Sequence, residues 1–142
     1  MTVGAGTEGF DLSPDGSQAW AADAQDGAIS IVDVASRKVV QRLEANLRSA
    51  NRLKFTPNGK WVLVSSLGGP DLVVFDPTTR AEAKRIPVGR GAAGILVQPD
   101  SARAYVACTP DDYVAVVDLS SMSVVGKIQA GTEPDGLAWT TR

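Results

Sequence analysis

One turn recurs along this chain at a fixed interval. It reads SPDG at Ser13 to Gly16, TPNG at Thr56 to Gly59 and QPDS at Gln98 to Ser101, so its prolines, Pro14, Pro57 and Pro99, stand 43 and 42 residues apart. Other markers keep that register. Asp33, Asp76 and Asp118 each close an apolar run; Leu43, Ile86 and Ile128 repeat at the same interval, as do Leu12, Phe55, Val97 and Trp139. Self-similarity at this period constrains the fold more than any single motif, because each repeat must be one supersecondary unit stacked on its neighbours. The 142 residues divide into repeats at approximately 6–47, 48–89 and 90–130, with 131–142 reading as the first strand of a fourth repeat.

Each repeat reads as four short strands. In the first (Phe10 to Ser13, Leu53 to Thr56, Ile95 to Gln98) apolar residues alternate, as in a half-buried strand. The proline turn follows, with proline presetting φ and glycine accepting a positive φ. AWAAD, WVLVSS and AYVACT form the second strand. AISIVD, DLVVFD and YVAVVD form the third, near-continuous β-branched runs suited to burial on both faces. KVVQRL, AEAKRI and SVVGKI form the fourth and most polar, placed on the outside. Turn signals every 8–12 residues exclude a helical bundle. The aspartates closing the third strands are followed by Ser36, Thr79 and Ser121, so Asp33, Asp76 and Asp118 are expected to accept backbone N–H bonds and build the turn into the fourth strand. The fold class is all-β, built from β-propeller blades of four antiparallel strands.

On these stretches the chain resembles the YVTN family of β-propeller repeats. The matching segments are VGAGTEGFDLSPDG, WAAD, ISIVD and KVVQRL in the first repeat and VGRGAAGILVQPD, YVAC, VAVVD and SVVGKI in the third, with GTEPDGLAW opening a fourth. The namesake tetrapeptide is degraded, its asparagine position holding Asp23, Ser66 and Cys108, and the second repeat carries Arg48 to Arg52 where the family prefers a Gly/Pro-rich entry. The Gly-His and Trp-Asp signatures of WD40 repeats are absent. The resemblance implies a propeller. Since many relatives are exported, it also implies a periplasmic or extracellular parent. Known propellers close with about four to eight blades, so three blades form an incomplete ring. Two ways to complete it are expected: additional blades from the rest of a longer chain of about seven blades, of which this is the C-terminal part, or a second copy forming a homodimer. The tail duplicates the first-strand element and favours the longer chain.

Composition narrows the chemistry. Fourteen basic against 16 acidic residues give a net charge of −2, with no basic face for nucleic acid or an anionic membrane. No apolar run approaches a membrane span, and Met1 to Glu8 lacks the charged and apolar regions of a signal peptide. There is no histidine, which removes imidazole bases and histidine metal or haem ligands from this segment. The single cysteine, Cys108, excludes an intrachain disulfide; with no cation or helix terminus to lower its pKa it reads as a small buried filler. Gly89, Gly91 and Gly94 precede no helix and form no dinucleotide fingerprint.

Propellers bind ligands at the channel mouth, on loops entering the innermost strand. On this register those loops supply Glu8, Asn51, Ala93 and Asp135, with Arg52 beside Asn51; Glu8, Asn51 and Asp135 are oxygen-bearing and match the hard ligands of a cation, though solvated loop residues are the simpler reading. Arg80, Lys84, Arg85 and Arg90 form a basic run read as a charge-protected edge strand. Trp20 and Trp139 fall at packing positions, whereas Trp61 aligns with Gln18 and Arg103 and is expected to be partly exposed. No nucleophile–base pair, metal set or cofactor is implied by these residues. The functional expectation is a non-catalytic scaffold or binding module. The alternative is a fragment of a propeller enzyme, lactonase-like or of the quinoprotein or haem-d1 type as the resemblance implies, with its catalytic residues in other blades.

Overall fold

A computed structural model describes residues 3–140. Among them are three four-stranded antiparallel sheets, each formed by consecutive strands, so every sheet is one sequence repeat. Blade 1 comprises β1 (Thr7–Leu12), β2 (Gln18–Asp23), β3 (Ala28–Asp33) and β4 (Lys38–Leu43). Blade 2 comprises β5 (Ala50–Phe55), β6 (Val62–Ser66), β7 (Asp71–Asp76) and β8 (Ala81–Pro87). Blade 3 comprises β9 (Ala92–Val97), β10 (Arg103–Cys108), β11 (Tyr113–Asp118) and β12 (Ser123–Gln129). The chain is all-β, and among the described residues no helix is long and apolar enough to cross a membrane.

The inner strands begin earlier than the sequence pattern suggests: β1 starts at Thr7, and Ser13 already belongs to the turn, its carbonyl accepting the Gly16 N–H at 2.8 Å. The register also slips at matching places. The third-to-fourth strand pairing shifts after Ile31, Val74 and Val116, three positions related by the repeat. Such bulges sharpen the twist that lets consecutive sheets fan out. The inner strands β1, β5 and β9 pack side by side while the outer strands diverge, which gives an arc. The arc does not close.

Two apolar layers hold it. Between blades 1 and 2 lie Trp20, Ile29 and Ile31 against Leu53, Phe55, Val62, Val64, Val73 and Phe75. Trp20 meets the edge of Phe55 at a centroid distance of 5.8 Å. Between blades 2 and 3 lie Leu63, Leu72, Val74 and Ile86 against Ile95, Val106, Ala115 and Val117. Along the third strands, both alternating sets of side chains are therefore buried, as their apolar runs imply. The fourth strands are the most exposed of each blade. Trp61 is half-buried and packs against the layer between blades 2 and 3.

The two outermost faces behave differently. Leu53 and Phe55 are 1% and 7% exposed, but Phe10 and Leu12, at the same repeat positions in blade 1, are 68% and 49% exposed because no sheet precedes them. The far face of blade 3 is instead crossed by the tail. Trp139 lies 6.3 Å from Tyr105, which repeats the Phe55–Trp20 contact two blades on. Among the described residues, the tail joins no sheet.

This asymmetry yields a direct test. Leu53→Ala removes a fully buried side chain and is expected to cost about 2–5 kcal/mol, whereas Phe10→Ala at the matching position of blade 1 is expected to stay within about 0.5 kcal/mol of the parent. Urea unfolding of both variants followed by circular dichroism checks this; equal losses would mean that blade 1 does not have an open face.

Candidate functional site

The inner edge of the arc is where the sequence places its mouth residues. Of the named residues only Asp135 lies outside a strand, Ala93 being part of β9. Glu8, Asn51 and Arg52 lie within β1 and β5. They sit at register slips: Thr7 pairs with Asp23 and Gly9 with Ala22, leaving Glu8 over, and Ala50 pairs with Ser66 and Leu53 with Val64, leaving Asn51 and Arg52 over. Blade 3 repeats this at Ala93 and Gly94. A bulge re-aims side chains that a regular strand would point into a neighbour. It is why residues of strands, rather than loops, form the mouth. Period-two alternation carries no signal for such a slip.

Asn51, Arg52, Ala93 and Asp135 line one cavity of about 310 Å³ together with Leu67, Thr109 and Glu133. Glu8 joins from the side, its carboxylate 3.9 Å from the Arg52 guanidinium; both side chains are about half exposed. Asn51 is buried, while Asp135 and Glu133 on the tail are exposed. Thr109 Oγ1 donates to the Pro134 carbonyl at 2.8 Å, and the Glu133 N–H donates to Asp112 Oδ1 at 2.9 Å, so the tail is tied to blade 3 beside the cavity. Among the described residues no group of three His, Cys, Asp or Glu side chains is placed to hold a metal ion.

Close backbone approach shapes this edge. A Cβ on Gly9 would lie 2.3 Å from the Asn51 carbonyl oxygen, and one on Gly94 would lie 1.9 Å from that of Asp135. The inner strand of blade 2 and the tail thus occupy matching places on consecutive neighbours. At the middle joint, Arg52 stands where the others have glycine. There Ser65 links the strands, accepting the Arg52 N–H at 3.1 Å and donating to the Ala93 carbonyl at 2.6 Å. Ser65 is buried and was invisible to pattern reading, which sees only an apolar strand ending in serines.

Two buried or bridging carboxylates also escape the repeat pattern. Asp23, at the end of β2, is fully buried and accepts from Thr7 Oγ1 (3.1 Å), Ser30 Oγ (2.8 Å) and Arg42 Nη1 (3.0 Å). Asp11 Oδ2 accepts the Phe55 N–H across the joint at 3.0 Å. The cysteine that occupies the Asp23 position in blade 3, Cys108, is buried, and burial pushes its thiol pKa upward. The basic run is dispersed: Arg80 donates to Gln41 Oε1, Arg85 to Glu82 and the Ala45 carbonyl, and Arg90 to Asp111.

The turn aspartates engage backbone donors. Asp33 Oδ1 accepts the Ser36 N–H at 2.7 Å, Asp76 Oδ1 the Thr78 and Thr79 N–H groups at 2.7 and 3.2 Å, and Asp118 Oδ1 those of Ser120 and Ser121 at 3.0 and 2.8 Å. The Ser120 hydroxyl, with the Ser121 and Ser120 N–H groups, holds Asp118 down at about 2. In the first proline turn, the Ser13 hydroxyl and the Ser17 N–H and hydroxyl hold Asp15 at about 2.

No protein-family model and no curated protein matches this chain. Solved structures do. A chain of Kuenenia stuttgartiensis hydrazine synthase superimposes with a TM-score of 0.88 at 27% identity, over 95% of this chain and 39% of that one. U3-55K superimposes at 0.85 with 13% identity, over 94% of this chain and 42% of that one. The RRP9 WD40 repeats do so at 0.84 with 14% identity, over 94% and 41%. The fold is three blades of a β-propeller. The chain spans about two fifths of the length of each of these structures.

The turn carboxylates generate a pH dependence. The folded pKa values of Asp15 and Asp118 lie below the unfolded value of 3.8, so their contribution is present above that value and is lost as pH falls toward about 2. The urea midpoint is expected to drop between pH 4 and pH 2, and Asp118→Asn is expected to flatten that drop while lowering stability at pH 7. An unchanged acid slope in the variant would refute the assignment.

Proposed function

We propose that this chain is a non-catalytic binding scaffold, three blades of a larger propeller ring whose mouth presents Glu8, Asn51, Arg52 and Asp135. The observation that carries the reading is the open face of blade 1. Phe10 and Leu12 are exposed at positions whose counterparts, Leu53 and Phe55, are buried against a preceding blade. An exposed pair of this kind calls for a further blade, since burying each large apolar side chain is worth about 1.5–3 kcal/mol. The tail supports further blades from a longer chain rather than a second copy. It occupies the far face of blade 3 where a copy's inner strand would have to sit. The scaffold reading is supported by the residue inventory, which has no histidine and a single, buried cysteine.

A second reading is favoured by one comparison. The likeness to a hydrazine synthase chain, at 27% identity, supports blades belonging to an enzyme whose catalytic residues lie outside these three. The gene separates the two. Adjoining in-frame blades with a nucleophile–base pair or metal-ligating set favour the enzyme; adjoining blades as free of such sets as these favour the scaffold.

The ring itself is tested in solution. The 142-residue chain alone is expected to bind the dye ANS and to show a light-scattering mass above 14.8 kDa. Phe10→Ser with Leu12→Ser is expected to reduce both signals. A 14.8 kDa monomer that binds no dye would sink the ring proposal.

A further inference from the structure

A second cavity lies away from the mouth, between the proline turns of blades 1 and 2. It is an open cleft of about 630 Å³, lined on one side by the Ser13 to Gln18 turn and on the other by Phe55, Gly59 and the Pro77 to Arg80 turn. That volume is within the range of small-molecule sites.

The repeat supplies its own control. The corresponding joint between blades 2 and 3 is plugged. There Trp61 and Met122 pack against the apolar layer, Leu119 is buried in it, and Ser101 Oγ accepts the Asn58 N–H across the joint at 3.1 Å. One repeat earlier the same positions hold Gln18, Arg80, Pro77 and Gly59. Two large apolar plugs are thus replaced by a hydrogen-bonding amide and a guanidinium, and the bridging serine by a glycine. The twist of the sheets is common to both joints. The side chains make the difference.

What the cleft offers is donors over an apolar floor. Phe55 forms the floor, held against Trp20, with Pro14 and Pro77 on the walls. Gln18 Oε1 accepts the Trp20 Nε1–H at 2.9 Å, which leaves the Gln18 amide to donate. The Arg80 guanidinium gives one N–H, on Nη1, to Gln41 Oε1 at 2.6 Å, and its remaining guanidinium N–H groups have no partner among the described residues. Asp15 is the one acid on the wall, and its Oδ1 is already engaged by the Ser13 hydroxyl at 2.5 Å and the Ser17 N–H at 3.0 Å. A guanidinium fork and an amide pointing to the same space suit a carboxylate. Pro14 and Pro77 suit the face of a ring, with the small exposed part of Phe55 beneath them.

We propose that this cleft binds a small aryl-alkyl carboxylate, its acid group on Arg80 and Gln18 and its ring between Pro14 and Pro77. The site needs only two blades in contact, so its failure would leave the ring proposal standing, and the reverse holds.

The test is an amide-resolved NMR titration of the 142-residue chain with 3-phenylpropionate, alongside its uncharged counterpart 3-phenylpropionamide. Saturable shifts are expected at the backbone amides of Gln18, Gly59, Thr78 and Arg80, with the uncharged compound at least about tenfold weaker. Arg80→Gln is expected to weaken the acid by a similar factor. Gln18→Trp, which copies the plug of the next joint and leaves Arg80 in place, is expected to abolish binding. Arg37→Gln, at the matching turn position of blade 1, is expected to change nothing. Equal binding of acid and amide would overturn the proposal. So would binding that survives Gln18→Trp, an equal loss in Arg37→Gln, or shifts centred on the mouth residues.

Discussion

Everything in this fold depends on sheets that are apolar on both faces. A strand such as β7 buries alternate side chains toward opposite neighbours, Val73 and Phe75 toward blade 1 and Leu72 and Val74 toward blade 3. A sheet of that kind has no solvent side, so it is stable only between two others. The joints bear this out in their chemistry. Each is a layer of branched and aromatic side chains, with few polar links placed where backbones come closest: Asp11 to Phe55, Ser65 to Ala93 and Asn58 to Ser101. The same requirement explains why Phe10 and Leu12 stand out from their repeat counterparts.

Variation around the repeat is where function enters. Every blade builds its third-to-fourth strand turn on a carboxylate and slips register at the same place. Those shared features set the arc and cannot distinguish one joint from another. The differences do: Arg52 for glycine at the middle inner strand, Gln18 and Arg80 for Trp61 and Met122 at the proline turns, Asp23 for Ser66 and Cys108 at the second-strand end. Each swaps a packing group for a polar or charged one, or the reverse, without disturbing the sheets. A scaffold of this kind can change its surface one joint at a time while the layers between blades stay constant.

Much of the architecture was legible in the chain. The spacing of Pro14, Pro57 and Pro99 and of the closing aspartates gives the number of sheets, their strand order and the exposed outer strand, because turn chemistry and period-two burial are local properties. The candidate mouth residues were found by register alone, and the structure brings Asn51, Arg52 and Asp135 to one cavity. Their setting was misread. Glu8, Asn51 and Arg52 lie in strands and at bulges, with only Asp135 outside a strand, and a bulge depends on how two strands pair, which no single strand's pattern records. Trp61, aligned with Gln18 and Arg103 and expected to be partly exposed, is half-buried, one side packed on the layer between blades 2 and 3.

The sequence by itself determined that this polypeptide is a stack of like sheets with a polar outer edge and no imidazole chemistry, since period, turn residues and composition are written residue by residue. Only the tertiary structure decided which faces are covered, that Asp23 is a buried carboxylate clasped by Arg42, and that one joint is plugged while its twin is an open cleft. Those outcomes depend on distances between residues far apart in the chain, 19 positions for Asp23 and Arg42 and 43 for Asn58 and Ser101. Packing, not local preference, sets such distances.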